Sequence, residues 1–152
     1  MLKVNDKIPD ITLNFDDGNQ KKLSEYKGQK LILFFYPKDS TPGCTKEACS
    51  LNFNYQNLID LGYQIIGISP QDQKSKAKFR EKNQLIMPLV CDEDTSVCQA
   101  FGVWQKKKLY GREYMGVART TFVVDESQTI THVYSKVKVA SHGEDLLNDL
   151  KQ

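Results

Sequence analysis

The sequence predicts an α/β fold in which a central mixed β-sheet is flanked by helices and preceded by an N-terminal β-hairpin extension. Three observations predict it. Leu31-Ile32-Leu33-Phe34-Phe35 is apolar on both faces, as a central strand covered on each side must be. Strand-like and helix-like stretches then alternate from Leu31 to Gly102. Near the C-terminus two strand-like runs flank a turn sequence before a last helical stretch, an order that suits a mixed sheet. At 152 residues the chain reads as one domain, 1–152, long enough to bury a full core.

Taken in order, Ile11-Thr12-Leu13-Asn14-Phe15 alternates apolar and polar, as a half-buried strand does. Asp16-Asp17-Gly18-Asn19 is turn chemistry, which makes the first unit a hairpin. Gly28 and Gln29 precede the central run from Lys30 to Tyr36. Thr41 suits a helix N-cap and Pro42 the first helical position, where its missing N–H is no loss. Ala48, Leu51, Tyr55, Leu58 and Ile59 form one buried stripe, and Gly62 ends that helix. Tyr63–Ser69 is the next strand. Lys74–Asn83 is a lysine-rich helix anchored by Ala77 and Phe79. Leu89–Cys91 is a short strand, and Val97, Cys98 and Phe101 fit a short helix before Gly102. Trp104–Ala118 reads as irregular, broken at Gly111 and Gly116. Thr120–Val124 and Ile130–Tyr134 flank Asp125-Glu126-Ser127-Gln128 as a hairpin, and Glu144–Leu150 has helical spacing. The order resembles that of thioredoxin-like domains, without repeat or linker.

Composition excludes several functions. With 21 basic and 19 acidic residues and a net charge of +2, there is no concentrated basic face for nucleic acid. The single basic triplet, Lys106-Lys107-Lys108, reads as a solvated loop or helix end. No apolar run approaches the roughly 20 residues of a membrane span, and Met1–Asp6 lacks the features of a secretory signal. The expectation is a cytoplasmic protein. The four cysteines, Cys44, Cys49, Cys91 and Cys98, include no C-x-x-C pair. His132 and His142 read as ordinary strand and loop residues, and no metal site is expected.

The chemistry concentrates where the central strand meets the helix after it. A cysteine in the first helical turn faces the positive end of the helix dipole and unpaired N–H groups, which favour thiolate over thiol. Cys44 sits there, with Thr41 three residues earlier. Two readings fit that spacing: a reactive thiol with a hydroxyl beside it, or an inert buried cysteine behind a capping threonine. Cys49 bears on the choice. Five residues of α-helix separate two Cα atoms by about 8.7 Å, beyond the roughly 7 Å limit for a disulfide. Cys44 and Cys49 could therefore react with each other only if the first turn unwound.

Phe35-Tyr36-Pro37-Lys38-Asp39-Ser40-Thr41-Pro42-Gly43-Cys44-Thr45-Lys46-Glu47-Ala48-Cys49 resembles the active-site signature of peroxiredoxins, and in particular the PrxQ branch, also called bacterioferritin comigratory protein. The pattern P-x-x-x-T/S-x-x-C falls on Pro37, Thr41 and Cys44, and Cys49 matches the branch's commonest resolving position. A second similarity covers Tyr110-Gly111, Gly116 and Arg119-Thr120-Thr121-Phe122-Val123-Val124-Asp125. The resemblance spans essentially the whole chain. It implies a thioredoxin-like fold and a thiol peroxidase acting on hydrogen peroxide and organic hydroperoxides. Cys44 would be peroxidatic and Cys49 resolving, through an intramolecular disulfide that thioredoxin or a similar dithiol recycles. Thr41, the Cys44 amide and Arg119 would donate to the peroxide, Pro37 would shield the sulfur, and Glu47 would orient Arg119. No metal, flavin or haem cofactor is implied, and the resolver lies within the chain, which suits a monomer.

Asn52 and Phe53 depart from the family, which often has Arg and Asp here, so a helper arginine near Cys49 is missing. Cys91 replaces a frequent hydroxyl residue. Cys98 is no obvious counterpart of the later resolver in the other sub-branch, whose position is nearest Arg80. Cys91 and Cys98 are read as buried fillers. Two other functional classes, a disulfide carrier without peroxidase activity and a redox sensor, fit less well because of the C-x4-C spacing and the presence of Thr41 and Arg119.

Overall fold

In the computed structural model, which describes residues 1–151, β1 (Thr12–Asn14) and β2 (Gln20–Lys22) form the expected antiparallel hairpin. A single 3-10 turn at Leu23–Tyr26 leads to β3 (Lys30–Phe35), then α1 (Pro42–Phe53) and α2 (Tyr55–Asp60). Next come β4 (Tyr63–Ser69), α3 (Gln73–Asn83), β5 (Leu89–Cys91) and α4 (Ser96–Ala100). β6 (Trp104–Leu109), β7 (Arg112–Val117), β8 (Thr120–Val124), β9 (Ile130–Tyr134) and α5 (His142–Leu150) complete the order.

The central sheet runs β5-β4-β3-β8-β9, with β3, β4 and β5 parallel and β8 and β9 antiparallel to their neighbours. The mixed sheet is thus as predicted. β3 sits in its middle and is buried on both faces because its side chains alternate between two cores. Leu31, Leu33 and Phe35 join the β1–β2 hairpin and α4 residues Val97 and Cys98 on one face. Ile32, Phe34 and then Tyr36 meet α1, α2, α3 and α5 on the other. Each such side chain contributes about 1.5–3 kcal/mol on leaving water, so the strand that ends at the site is firmly anchored.

Four expectations change. The single helix after Pro42 is two, because buried Asn54 turns its amide back on the Ser50 carbonyl and sits outside helical geometry. Trp104–Ala118 is not irregular but a two-stranded hairpin that pairs Trp104–Leu109 with Arg112–Val117, placing the lysine triplet in a strand. Its two-residue turn, Tyr110-Gly111, has φ of 51° and 77°, the left-handed pair that closes tight hairpins. Ala77 is exposed; Lys76 and Phe79 are the buried residues of α3. His142 is no loop residue but the buried first residue of α5.

Candidate active site

β3 delivers the chain to the site. Beyond Tyr36 the loop Pro37–Ser40 turns back, with Ser40 in left-handed geometry at φ 64°, and Thr41 enters α1. Asp39 fixes that loop from beneath. Its buried carboxylate accepts from Tyr36 Oη at 2.6 Å, Ser75 Oγ at 2.8 Å and Lys76 Nζ at 3.2 Å. Lys76, fully buried, also donates to Ser69 Oγ and Tyr36 Oη. Burial pushes the Lys76 ammonium below its ordinary value, opposed by the Asp39 charge. Neither member of this pair was picked out by sequence reasoning, which places lysines outside. The available signal was spacing, since Lys76 lies three residues before Phe79 and so shares its face.

Thr41 occupies the N-cap position with extended backbone, but its side chain makes no capping bond. Its hydroxyl donates to the Lys38 carbonyl at 2.9 Å instead. The first intrahelical bond, Thr45 N–H to Thr41 O, leaves the Gly43 and Cys44 amides ahead of the helical ladder. Cys44 is buried at 1% exposure while Cys49 is exposed, because five residues turn a helix by about 140°. All four cysteines are free thiols, and Cys44 and Cys49 lie in one continuous helix.

Arg119 closes the arrangement. It immediately precedes β8, whose first residue Thr120 pairs with Phe35 at the end of β3. Its Nη2 donates to Cys44 Sγ at 3.3 Å and its Nη1 to Glu47 Oε1 at 2.5 Å. Glu47 lies one helical turn after Cys44 on the same face, so one guanidinium spans both. Gly43 allows the approach, since a Cβ there would lie 3.3 Å from Arg119 Nη2. Burial pushes the Glu47 carboxyl up to about 7, although the Arg119 guanidinium pulls it down. Against its own burial, Glu47 and Cys44 hold Arg119 above its ordinary value.

Pro37 is half-buried and lines a cleft of about 370 Å³ with Trp104, Lys107, Met115 and Val117. Lys107 in this cleft is lowered by burial and by Arg119 and raised by Cys44. Cys91 and Cys98 are buried as well. Burial pushes the Cys91 thiol up to about 11, and burial with an Asp92 hydrogen bond raises Cys98 further. Among the described residues no cluster of His, Cys, Asp or Glu could hold a metal ion, and no helix is long and apolar enough to cross a membrane.

The structure thus brings together a buried thiol at a helix start, a guanidinium on its sulfur and a carboxylate holding that guanidinium. Residues 4–133 match the AhpC/TSA family. The chain is 42% identical to Bacillus subtilis peroxiredoxin Bcp over 150 residues, covering 99% of this chain and 96% of that one. The chain belongs to the peroxiredoxins of the AhpC/TSA family. Solved structures agree: Xanthomonas campestris bacterioferritin comigratory protein aligns with a TM-score of 0.90 and 35% identity over 98% of each chain. Xylella fastidiosa PrxQ aligns with a TM-score of 0.93 and 32% identity, over 99% of this chain and 96% of that one. This peroxiredoxin therefore has the thioredoxin-like fold, belongs to the Bcp/PrxQ branch and is a thiol-dependent peroxidase.

Proposed function

We propose that Cys44 is the peroxidatic residue of a two-cysteine cycle confined to one chain. The Cys44 thiolate attacks one peroxide oxygen, forming an S–O bond as the O–O bond breaks. The electron pair leaves on the distal oxygen, which departs as water or an alcohol after taking a proton. Arg119 and the Cys44 amide supply donors for the charge that grows on that oxygen. Thr41, whose hydroxyl now donates to Lys38, turns toward the bound peroxide, and Pro37 limits water at the sulfur. The Cys49 thiol then attacks the Cys44 sulfenic acid, releasing water and forming a disulfide. An external dithiol of the thioredoxin kind reduces that bond.

The observation that carries the reading is the single guanidinium shared between Cys44 Sγ and Glu47 Oε1. Substrates are hydrogen peroxide and organic hydroperoxides; the Xanthomonas campestris relative is described by its alkyl peroxide reduction activity. We further infer one domain over 1–152, a monomer, and a cytoplasmic setting. One equivalent of hydrogen peroxide in a stopped-flow mixer should oxidise Cys44 far faster than free cysteine, and peptide mapping should then find a Cys44–Cys49 bridge. Thr41→Val should cripple the first step and Thr41→Ser largely keep it. Oxidation at the rate of free cysteine would sink the peroxidase role of Cys44, and a bridge to Cys91 or Cys98 would overturn the resolver.

A further inference from the structure

The carboxylate that holds Arg119 is only half partnered. Glu47 Oε1 accepts from Arg119, but Oε2 is buried and, among the described residues, receives no hydrogen bond. A buried acceptor left without a donor is costly, so whatever faces it matters. What faces it is His142 Nε2 at 3.8 Å. His142 is buried at the start of α5, with Nε2 also 2.8 Å from Thr121 Oγ1.

The placement of His142 is built in. Gly143 sits so close to α1 that a Cβ there would overlap the Ser50 carbonyl oxygen. The Gly143 amide donates to Ser50 Oγ at 2.8 Å, and Ser50 Oγ donates to Glu144 Oε2 at 3.0 Å. Three successive α5 residues therefore address α1, and the first of them addresses Glu47.

We propose that His142 is a positioning residue for the Cys44 centre: its Nε2–H is directed between Thr121 Oγ1 and Glu47 Oε2 and keeps that carboxylate aimed at Arg119. This rests on the reading of Cys44 and Arg119 as the reacting pair. Burial drives the His142 pKa down to about 4, so the ring is neutral and the contact is no ion pair. A neutral imidazole carries one N–H. On Nδ1 it would let Nε2 accept from the Thr121 hydroxyl but turn a lone pair toward the carboxylate; on Nε2 it serves both Thr121 Oγ1 and Glu47 Oε2. At 3.8 Å the interaction with Glu47 is that of an oriented N–H dipole with a charge, longer than a formed hydrogen bond.

Few other groups face this pair. Arg119 comes from the start of β8, Asp145 from α5, and Cys44 from α1. Tyr134 of β9 packs edge-on against the ring at 5.6 Å between centroids, and Lys107 of β6 acts electrostatically on Arg119 and Cys44.

Two variants separate positioning from packing. A glutamine amide nitrogen can reach the place of Nε2, whereas an asparagine amide mimics Nδ1. With H142N, Glu47 Oε2 loses the donor that faces it, and the pH midpoint of the peroxide-reduction rate should rise by about one unit. The rate should be about fivefold below wild type at pH 7 and recover above pH 9. H142Q should restore the wild-type midpoint to within a few tenths of a unit. Nitrogen-15 NMR of the wild-type imidazole adds a readout independent of any variant's folding. It should find the Nε2–H tautomer at pH 8, with shifts that move near pH 7 as Glu47 titrates. The Nδ1–H tautomer, an H142N profile unchanged from wild type, or equal losses in H142N and H142Q at every pH would each overturn the proposal. Failure of the peroxidase reading looks different, since the wild type itself would then be slow with peroxide.

Discussion

Burial acts on Glu47 and His142 in opposite directions, and the consequence for stability can be measured. The folded chain raises Glu47 from 4.5 to about 7 and lowers His142 from 6.5 to about 4. For Glu47 the native state holds a proton that the unfolded state has lost. Its contribution is therefore full below pH 4.5 and is lost as pH rises to 7, a difference of about 3 kcal/mol. For His142 the unfolded state holds the extra proton. Its contribution is full above pH 6.5 and is lost as pH falls to 4, again about 3 kcal/mol. Between pH 4.5 and 6.5 the two slopes cancel, because folding moves a proton from imidazole to carboxylate without net uptake. Removing either partner should uncover the other. Guanidinium unfolding of the reduced protein, followed by circular dichroism at half-unit steps, gives the comparison. Relative to wild type, E47Q should gain about 3 kcal/mol as pH rises from 4.5 to 7, and H142Q should gain about 3 kcal/mol as pH falls from 6.5 to 4, so that its own stability falls with rising pH. Exposed carboxylates affect all three proteins alike and drop out of the differences. Three parallel curves would refute the reasoning.

Two further substitutions test the ground beneath the site. Lys76→Met leaves Asp39 buried without its cation and should cost about 3–5 kcal/mol in urea unfolding, with most of it recovered in the K76M/D39N double variant; additive losses would count against the pairing. Gly43→Ala should raise the melting temperature or hold it, since alanine favours helix by up to about 1 kcal/mol, yet slow peroxide reduction about tenfold by displacing Arg119. An unchanged rate would show that the guanidinium does not need that approach.

What was legible in the sequence was whatever periodicity or turn chemistry writes locally. β3 announced itself because burial on both faces demands an unbroken apolar run, and α1 because Thr41-Pro42 marks a helix start. The β6–β7 hairpin did not, since its strands are largely solvent-exposed and carry no period-2 apolar pattern. Gly111 was its one turn signal, and the partner at positive φ is Tyr110, an unusual residue for that role. The break at Asn54 was hidden because the buried stripe Ala48, Leu51, Leu58 continues across it. Of the site, Cys44 was marked by its place in the first helical turn, Glu47 and Arg119 came from motif resemblance, and the structure brings them within hydrogen-bond reach. Lys76 and His142 were missed for a common reason. Each is polar and fully buried, and what justifies its burial comes from residues remote in sequence: Asp39 for one, Thr121 and Glu47 for the other.

The turn that positions the thiol is also the turn that the proposed cycle must unwind, and Glu47 bears on both. Ser50 marks where unwinding should stop. It is tied to Gly143 and Glu144 of α5, and Leu51 behind it is fully buried, so the movable piece ends at Cys49. Opening that piece costs the burial of Cys44 and Ala48 and the Arg119 contacts. It also releases Glu47 Oε2 into water, which recovers about 1–3 kcal/mol held against an unpartnered acceptor. Above pH 7, where Glu47 is charged, that release is largest. In the proposed cycle, the residue that aims Arg119 at the sulfur would thus lower the cost of the opening by which Cys49 reaches it, and a fully satisfied Glu47 would hold the turn closed more firmly at the expense of resolution.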